Sequence, residues 1–207
     1  MQLVEQESAP VHVGPCVAIL LCICNGKDFL VEQLESIAQQ THQNWRLFIS
    51  DDGDCQESRQ IIATFSTRFE RNKVNLVIGP KKGFAKNFLS LICDKLINAE
   101  YFAFCDQDDI WSSKKLERAI ISLENIDHDL PSLYCSRTTV VNKKNEEIGL
   151  SPLFLKAPCF SNALVQTIGG GNTMVFNQAA RNLVLRAGSP VAIVSHDWWM
   201  YLLDRKS

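Results

Sequence analysis

The first half of the chain alternates short apolar runs with stretches of helical periodicity. Four apolar runs are expected to be strands, and they are Cys16–Ile23, Trp45–Ser50, Val74–Ile78 and Tyr101–Cys105. Between them, apolar residues recur every three or four positions, as they do along one face of a helix. This alternation predicts an α/β fold with a mostly parallel central sheet and helices on both faces. Because the runs are nearly continuous in apolar residues, we expect both faces of the sheet to be buried.

The pattern changes after the fourth run. A helix is predicted over Ser113–Asn125, with Ser112 or Ser113 itself as its N-terminal cap. A further helix is expected from about Asn177, after a glycine triplet and a short apolar run. The stretch from Asp197 to Leu203 is typical of the start of an amphipathic helix.

Composition fits an ordinary globular protein, because 46% of the 207 residues are hydrophobic and 21% are charged. This length suits one domain across residues 1–207, and the lack of a closing element after the last helix leads us to expect that it is shortened at its C-terminus. The net charge of -2 and the lack of a basic patch argue against a nucleic-acid partner. Met1–Pro15 lacks the pattern of a signal peptide, and the apolar run Val17–Ile23 is too short to cross a bilayer.

The eight cysteines contain no CxxC pair, which argues against a zinc site. Several of them lie in apolar runs. We therefore expect reduced, mostly buried thiols in a cytoplasmic protein.

Carboxylates follow two of the predicted strands. Asp106, Asp108 and Asp109 come directly after the fourth run, at the edge of a parallel sheet where ligands collect. Asp106 and Asp108, with Gln107 as a spacer, can aim two carboxylates at one Mg²⁺ or Mn²⁺ ion, which also binds phosphate. The alternative is a solvent-exposed turn in which Asp109 caps the next helix. The acidic run alone does not separate the two.

Three other segments have a structural and a functional interpretation. Asp51-Asp52-Gly53 after the second strand fits a common turn, but its carboxylates could also accept hydrogen bonds from a nucleotide. Asp197 either complements the dipole of its helix or acts as a general base, and His196 beside it either assists or packs. The segment Gly169-Gly170-Gly171-Asn172 permits close approach of the backbone to a ligand.

Taken in order from Val17 to Leu203, these segments resemble the family 2 glycosyltransferases, which have the GT-A fold. The most specific match is Phe102–Trp111, which contains the acidic run. Gly171–Asn177 and Ser195–Trp199 are similar to the rhamnosyltransferase-like branch of this family.

The resemblance implies an inverting, metal-dependent enzyme of the hexosyltransferase type. It would move rhamnose or a similar sugar from a nucleotide-diphosphate donor to a saccharide acceptor during synthesis of cell-surface polysaccharide. Asp197 would be the catalytic base, and Asp106 and Asp108 would hold Mg²⁺ or Mn²⁺. The nucleotide would be bound by Asn25, Asp51, Asp52 and Asp106. The donor and acceptor side would be lined by Asp109, Gly170, Gly171, Asn172, His196 and Trp198.

The implied partners are a dTDP- or UDP-sugar and a saccharide or lipid-linked saccharide acceptor. The implied workplace is the inner face of the plasma membrane, through peripheral association. Where the family usually has Thr-Tyr before Asn25, this chain has Ile23-Cys24. That departure supports a second hypothesis, a non-catalytic module that binds nucleotide-sugars.

Overall fold

The computed structural model describes residues 14–155, 157–188 and 192–206, and for residues 205 and 206 the description covers the backbone alone. The expectation for Met1–Pro15 therefore lies almost wholly outside the described residues. The main sheet has six strands. They are β1 (Val17–Ile23), β2 (Trp45–Asp51), β3 (Val74–Ile78), β4 (Tyr101–Asp106), β5 (Leu133–Tyr134) and β8 (Val175–Asn177).

The strand order in this sheet is β3-β2-β1-β4-β8-β5. The first four strands in that order are parallel, while β8 runs antiparallel to both of its neighbours. A separate hairpin is formed by β6 (Thr139–Val141) and β7 (Glu147–Leu150). The prediction of a mostly parallel central sheet is confirmed.

Seven α-helices are present in the described part of the chain. They are α1 (Lys27–Ala38), α2 (Gln56–Ser66), α3 (Phe84–Ile92), α4 (Lys115–Leu123), α5 (Phe160–Ala163), α6 (Gln178–Ala187) and α7 (His196–Lys206). A short 3-10 turn, Gly171–Thr173, precedes β8. Asn177 caps α6 by accepting a hydrogen bond from the backbone N–H of Ala180, so the predicted start of this helix is confirmed.

The central strand β1 feeds two hydrophobic cores, because successive side chains of a strand point to opposite faces. Val17, Ile19, Leu21 and Ile23 pack in one core with residues of α1, α2 and α4. Ala18, Leu20 and Cys22 pack in the other with residues of α3, α6 and α7. Helices therefore cover both faces of the sheet, as predicted.

Two expectations are wrong in detail. The first is burial of every strand on both faces: β3 lies at the edge of the sheet, and its last residue, Ile78, is 80% exposed. The second is the cap of α4, which begins at Lys115 without a side-chain cap. The backbone carbonyls of Ser112 and Ser113 instead accept hydrogen bonds from Gln40 Nε2 and the N–H of Thr41, so this loop is held to the end of α1.

The register of the parallel strands places the acidic segments on either side of β1. Ile23 at the end of β1 pairs with Asp51 on β2, and Cys22 pairs with Asp106 on β4. The carboxyl ends of three neighbouring strands thus meet at one edge of the sheet. This is the edge where ligands bind in open α/β folds.

Candidate active site

Two adjoining cavities lie at the carboxyl ends of β1, β2 and β4. The first has a volume of about 370 Å³, and its walls include Cys24, Asp52, Asn87 and Gln107. The second has a volume of about 440 Å³. It is lined by Phe84, Asp106, Asp108, Asp109, Gly170, Gly171, Asn172, Ser195, His196 and Asp197. Phe84, Asp106 and Asp108 line both cavities, so these three side chains mark the boundary between them.

Asp106 is the half-buried carboxylate at the centre of this arrangement. Burial, together with the negative charges of Asp109, Asp108 and Asp197, raises its pKa to about 7. Its ionised form is therefore costly in the absence of a positive charge beside it. A ligand that brings positive charge to Asp106 would relieve this cost.

The pair Asp106 and Asp108 fits Mg²⁺ or Mn²⁺. Asp108 is exposed and Asp106 lines the same two cavities, so both carboxylates face the space that a ligand would occupy. Among the described residues, no group of three or more His, Cys, Asp or Glu side chains could hold an ion by itself. Two carboxylates are enough for Mg²⁺ when a bound phosphate and water complete its coordination.

Lys115 supplies positive charge from behind the acidic run. Its ammonium group lies 4.5 Å from the ring centroid of Trp111 and donates a hydrogen bond to the backbone carbonyl of Asn172. Burial lowers the pKa of Lys115, nearby acidic groups that include Asp109 oppose this shift, and the resulting pKa is about 8. Burial also raises the pKa of Asp109, and a hydrogen bond with the Asn172 side chain lowers it. Lys115 and Asp109 thus fix the loop that carries Asn172.

Gln107 is more than a spacer, and the prediction on this point is wrong. Its Oε1 accepts a hydrogen bond from the backbone N–H of Cys24 at 2.8 Å. A Cβ atom on Gly26 would lie only 2.2 Å from the same oxygen, so a larger residue there would displace the Gln107 side chain. Gln107 therefore ties the acidic loop after β4 to the loop after β1.

Asp51 and Asp52 have separate roles. Asp51 is buried, and its carboxylate accepts hydrogen bonds from the N–H of Gly53 at 2.9 Å and from Arg59 Nε at 2.8 Å. Asp52 lines the first cavity and accepts a hydrogen bond from the N–H of Lys81 at 2.8 Å. The structure therefore commits Asp51 to holding its own loop and presents Asp52 to the cavity.

Asn25 also belongs to the supporting structure. It has a positive φ of 54°, and its side-chain oxygen accepts a hydrogen bond from the N–H of Asp54 at 3.3 Å. It does not line either cavity. Of the four residues expected to bind the nucleotide, the structure brings Asp52 and Asp106 to the cavity wall and leaves Asn25 and Asp51 beside it.

His196 packs at the start of α7. Its ring is buried, stacks on Phe88 with centroids 3.7 Å apart and meets Phe104 edge-on at 4.6 Å. Burial lowers the pKa of His196 to about 4, so the ring is neutral at neutral pH. This aromatic packing fixes the position of the next residue, Asp197, which lines the second cavity. Trp198 does not line that cavity, and its indole N–H donates to the carbonyl of Ala163 at 2.6 Å.

The 3-10 turn before β8 packs closely against the start of α7. A Cβ atom on Gly171 would lie 2.5 Å from His196 Nε2 and 3.3 Å from Asp197 Cβ. Gly170, Gly171 and Asn172 line the second cavity with Asp197. The glycine segment therefore lies close to the start of α7. Because of this contact, the glycine segment and Asp197 lie in the same wall of the second cavity.

Comparison with solved structures shows the fold to which this chain belongs. A mannosyltransferase, PcManGT from Pyrobaculum calidifontis in complex with GDP-Man and Mn²⁺, superposes with a TM-score of 0.62 at 16% identity, over 90% of this chain and 50% of that one. TarS from S. aureus in complex with UDP-GlcNAc gives a TM-score of 0.62 at 15% identity, over 91% of this chain and 53% of that one. The fold is that of the GT-A glycosyltransferases.

The sequence comparisons define the family. A family profile described as Glycosyl transferase family 2 matches residues 18–185, and the chain belongs to this family. The dTDP-rhamnosyl transferase RfbG of Shigella flexneri is 28% identical over 198 residues, which are 87% of this chain and 63% of RfbG. The Escherichia coli glucosyltransferase WfgD is 28% identical over 104 residues, which are 50% of this chain and 39% of WfgD. The chain therefore spans less than two thirds of the length of either relative.

In the part of the chain that the structure describes, no helix combines the length and the apolar character needed to cross a bilayer.

The raised pKa of Asp106 predicts a pH-dependent stability. The pKa of Asp106 is about 7 in the folded chain, and its ordinary value is 3.8. The contribution of this carboxyl group to the free energy of unfolding is therefore fully present below about pH 4 and is lost as the pH rises through 7. In EDTA, Asp106→Asn should therefore gain free energy of unfolding relative to the wild type between pH 5 and 8. The expected gain is on the order of 1 kcal/mol, given partial solvent screening. Urea denaturation across this range measures it, and parallel pH profiles for the two proteins would contradict it.

The contact at Gly171 predicts a second effect. Gly171→Ala should lower the free energy of unfolding by about 1–3 kcal/mol, because the added methyl group meets the buried ring of His196. Gly169→Ala is the comparison variant, since the nearest atom to its Cβ would be Thr173 Oγ1 at 3.2 Å, which requires a much smaller shift. Urea denaturation of the two variants gives the comparison, and equal stabilities would show that α7 adjusts without cost.

Proposed function

We propose that this chain is the catalytic domain of an inverting, metal-dependent glycosyltransferase that uses a nucleotide-sugar donor. Its product would be part of a cell-surface polysaccharide. One observation carries the proposal: Asp52 lies in the first cavity, Asp197 lies in the second, and Asp106 and Asp108 lie at the boundary that both cavities share. A donor laid across the boundary would place its nucleoside near Asp52 and its sugar near Asp197.

The nucleoside end of the donor would occupy the first cavity. Its volume of about 370 Å³ lies within the range of small-molecule sites. The Asp52 carboxylate is held by the backbone N–H of Lys81, and its remaining acceptor capacity is available to a base or a ribose. Asp106 would contribute on the ribose-diphosphate side.

The diphosphate would lie at the boundary, where Asp106 and Asp108 would hold Mg²⁺ or Mn²⁺. A bound cation neutralises charge on a leaving diphosphate. Lys115, Asp109 and Gln107 hold the loops around these two carboxylates, and so they limit how far the carboxylates can move. Fixed ligands place the reacting atoms without a further loss of entropy.

Asp197 would act as the general base. An acceptor hydroxyl would attack the anomeric carbon, the new C–O bond would form on the face opposite the leaving group, and the bond to the diphosphate oxygen would break. The hydroxyl proton would pass to the Asp197 carboxylate. The Oδ1 atom of Asp197 accepts a hydrogen bond from the N–H of Trp198 at 2.8 Å, which orients the side chain. Its position across the boundary from the nucleotide cavity supports attack from the face opposite the diphosphate.

The donor sugar that we propose is rhamnose or a similar sugar carried by dTDP. The similarity to RfbG, which is named as a dTDP-rhamnosyl transferase, supports this choice, while TarS was solved with UDP-GlcNAc and points to UDP as the second candidate. For the acceptor we propose a saccharide, free or linked to a lipid. The name of WfgD states a diphosphoundecaprenol-linked acceptor. A lipid-linked acceptor would place the protein at the inner face of the plasma membrane by peripheral contact.

A second candidate function is a module that binds nucleotide-sugars without catalysing transfer. Cys24 supports it, because this exposed residue lines the nucleotide cavity where the family pattern has an aromatic residue. The two candidates share the first cavity and differ in the role of Asp197.

Nucleotide binding tests what the two candidates have in common. Titration of the protein with dTDP and with UDP by calorimetry should show binding that strengthens at least about tenfold when Mn²⁺ replaces EDTA, because the cation offsets the charge at Asp106. Adenosine diphosphate serves as the control for a general affinity for diphosphates. Absence of binding by both pyrimidine nucleotides would refute both candidates.

Substitution of Asp197 separates the two candidates. Asp197→Asn should lower the rate of sugar transfer by about 10²–10⁴-fold, because the general base is lost, while the Kd for the nucleotide stays within about twofold. Asp28→Asn is the matched control, since Asp28 is also the second residue of a helix and lies outside both cavities. Full transfer activity in Asp197→Asn would rule out the assigned base.

A further inference from the structure

An exposed aromatic side chain stands at the boundary between the two cavities and has no role in the proposal above. Phe84 is the first residue of α3 and is 60% exposed. It lines both cavities. Among the described lining residues, Asp106 and Asp108 are the only others that do so. A phenyl ring left in contact with water at a ligand cavity loses the free energy that burial would supply.

The backbone before Phe84 is shaped to put the ring there. Gly83 has a positive φ of 85°, and a Cβ atom on it would meet nothing within 4 Å. Glycine is therefore required by the backbone conformation and not by a lack of space. The carbonyl of Gly83 accepts a hydrogen bond from the N–H of Asn87 and so starts α3. The ring of Phe84 comes to rest at the boundary directly after this turn.

The position of the ring is also fixed relative to the proposed base. Phe84 and His196 meet edge-on with ring centroids 6.2 Å apart. His196 is buried on Phe88 and directly precedes Asp197. One side of the second cavity therefore presents Phe84 and Asp197 together, while Asp106 and Asp108 stand at the entrance from the first cavity.

The second cavity is otherwise polar. Its remaining lining residues are aspartates, glycines, an asparagine, a serine and the neutral His196. A hexose ring has hydroxyl groups at its edge and at least one face made mainly of C–H groups. The polar residues suit the hydroxyl edge, and Phe84 is the one side chain of the described lining set that suits the C–H face.

We propose that Phe84 is the contact surface for the donor sugar and thereby a determinant of donor specificity. The inference rests on the proposed function, since it requires a nucleotide-sugar across the boundary. The sugar would lie with its C–H face on the phenyl ring, between the diphosphate at Asp106 and Asp108 and the base Asp197. The nucleoside would lie beyond the ring, in the first cavity, without stacking on it.

Calorimetric titration with matched ligands tests this assignment. The ligands are dTDP and dTDP-rhamnose, with UDP and UDP-glucose as a second pair, all in the presence of Mn²⁺. Phe84→Ala should weaken binding of at least one nucleotide-sugar by about tenfold and leave binding of the matching nucleoside diphosphate within about twofold. Phe84→Tyr keeps the ring and should restore binding of the sugar donor.

Phe29→Ala is the control for loss of an exposed phenyl ring. Phe29 is 53% exposed on α1 and lines neither cavity, so its removal should change neither affinity. Thermal melts of the variants should match the wild type, because both rings are largely in solvent. Transfer assays with the same donors should show the loss in KM more than in kcat if the contact is made equally in the ground and transition states.

The outcomes separate the inference from the proposed function. If Phe84→Ala weakens the nucleoside diphosphate and the nucleotide-sugar equally, the ring contacts the nucleoside and the inference is overturned. If it weakens neither, Phe84 does not contact the donor and the inference is again overturned. If the wild type binds no pyrimidine nucleotide, the proposed function fails, and the inference fails with it.

Discussion

Negative charge gathered beside Asp106 is the constraint around which the rest of the site is arranged. The carboxylate is half-buried, and three other aspartates oppose its ionisation. A buried charge of this kind is retained only where something compensates it. Lys115 provides part of the compensation from inside the protein. The remainder would have to come from the cavity, which connects the electrostatics of the sheet edge to the ligand.

The surrounding loops show how such a cluster is kept in place. Gln107 joins the loop after β4 to the loop after β1, and Lys115 joins α4 to the turn before β8. Asp51, bound to Arg59, holds the loop after β2. Lys115 and Asp51 line neither cavity, while Gln107 also forms part of the wall of the first cavity. The carboxylates that face the cavities are therefore held by loops that are tied to one another by hydrogen bonds.

The sequence was sufficient to predict the strands, the acidic segments at their ends and the family, because these depend on local pattern and on short motifs. It did not separate Asp51 from Asp52, since the side chains of adjacent residues at a strand end point in different directions and only the fold shows which one meets Arg59. It did not reveal Phe84, because an exposed and a buried phenylalanine look alike in a helical pattern. It assigned Gln107 to a spacer role, since its partner, Cys24, lies 83 residues away along the chain.

The division of β1 between two cores has a consequence for how this protein can diverge. Side chains on one face of β1 pack with α1, α2 and α4, and those on the other face pack with α3 and α7, the helices that carry Phe84 and Asp197. The second layer supports the helices behind Phe84 and Asp197, while the first layer reaches the cavities mainly at the end of β1, where Ile23 lines the first cavity. The strand thus separates the packing layer behind Phe84 and Asp197 from the layer on the opposite face of the sheet. If the proposed function holds, a change of donor preference would require changes mainly in the layer behind Phe84 and Asp197.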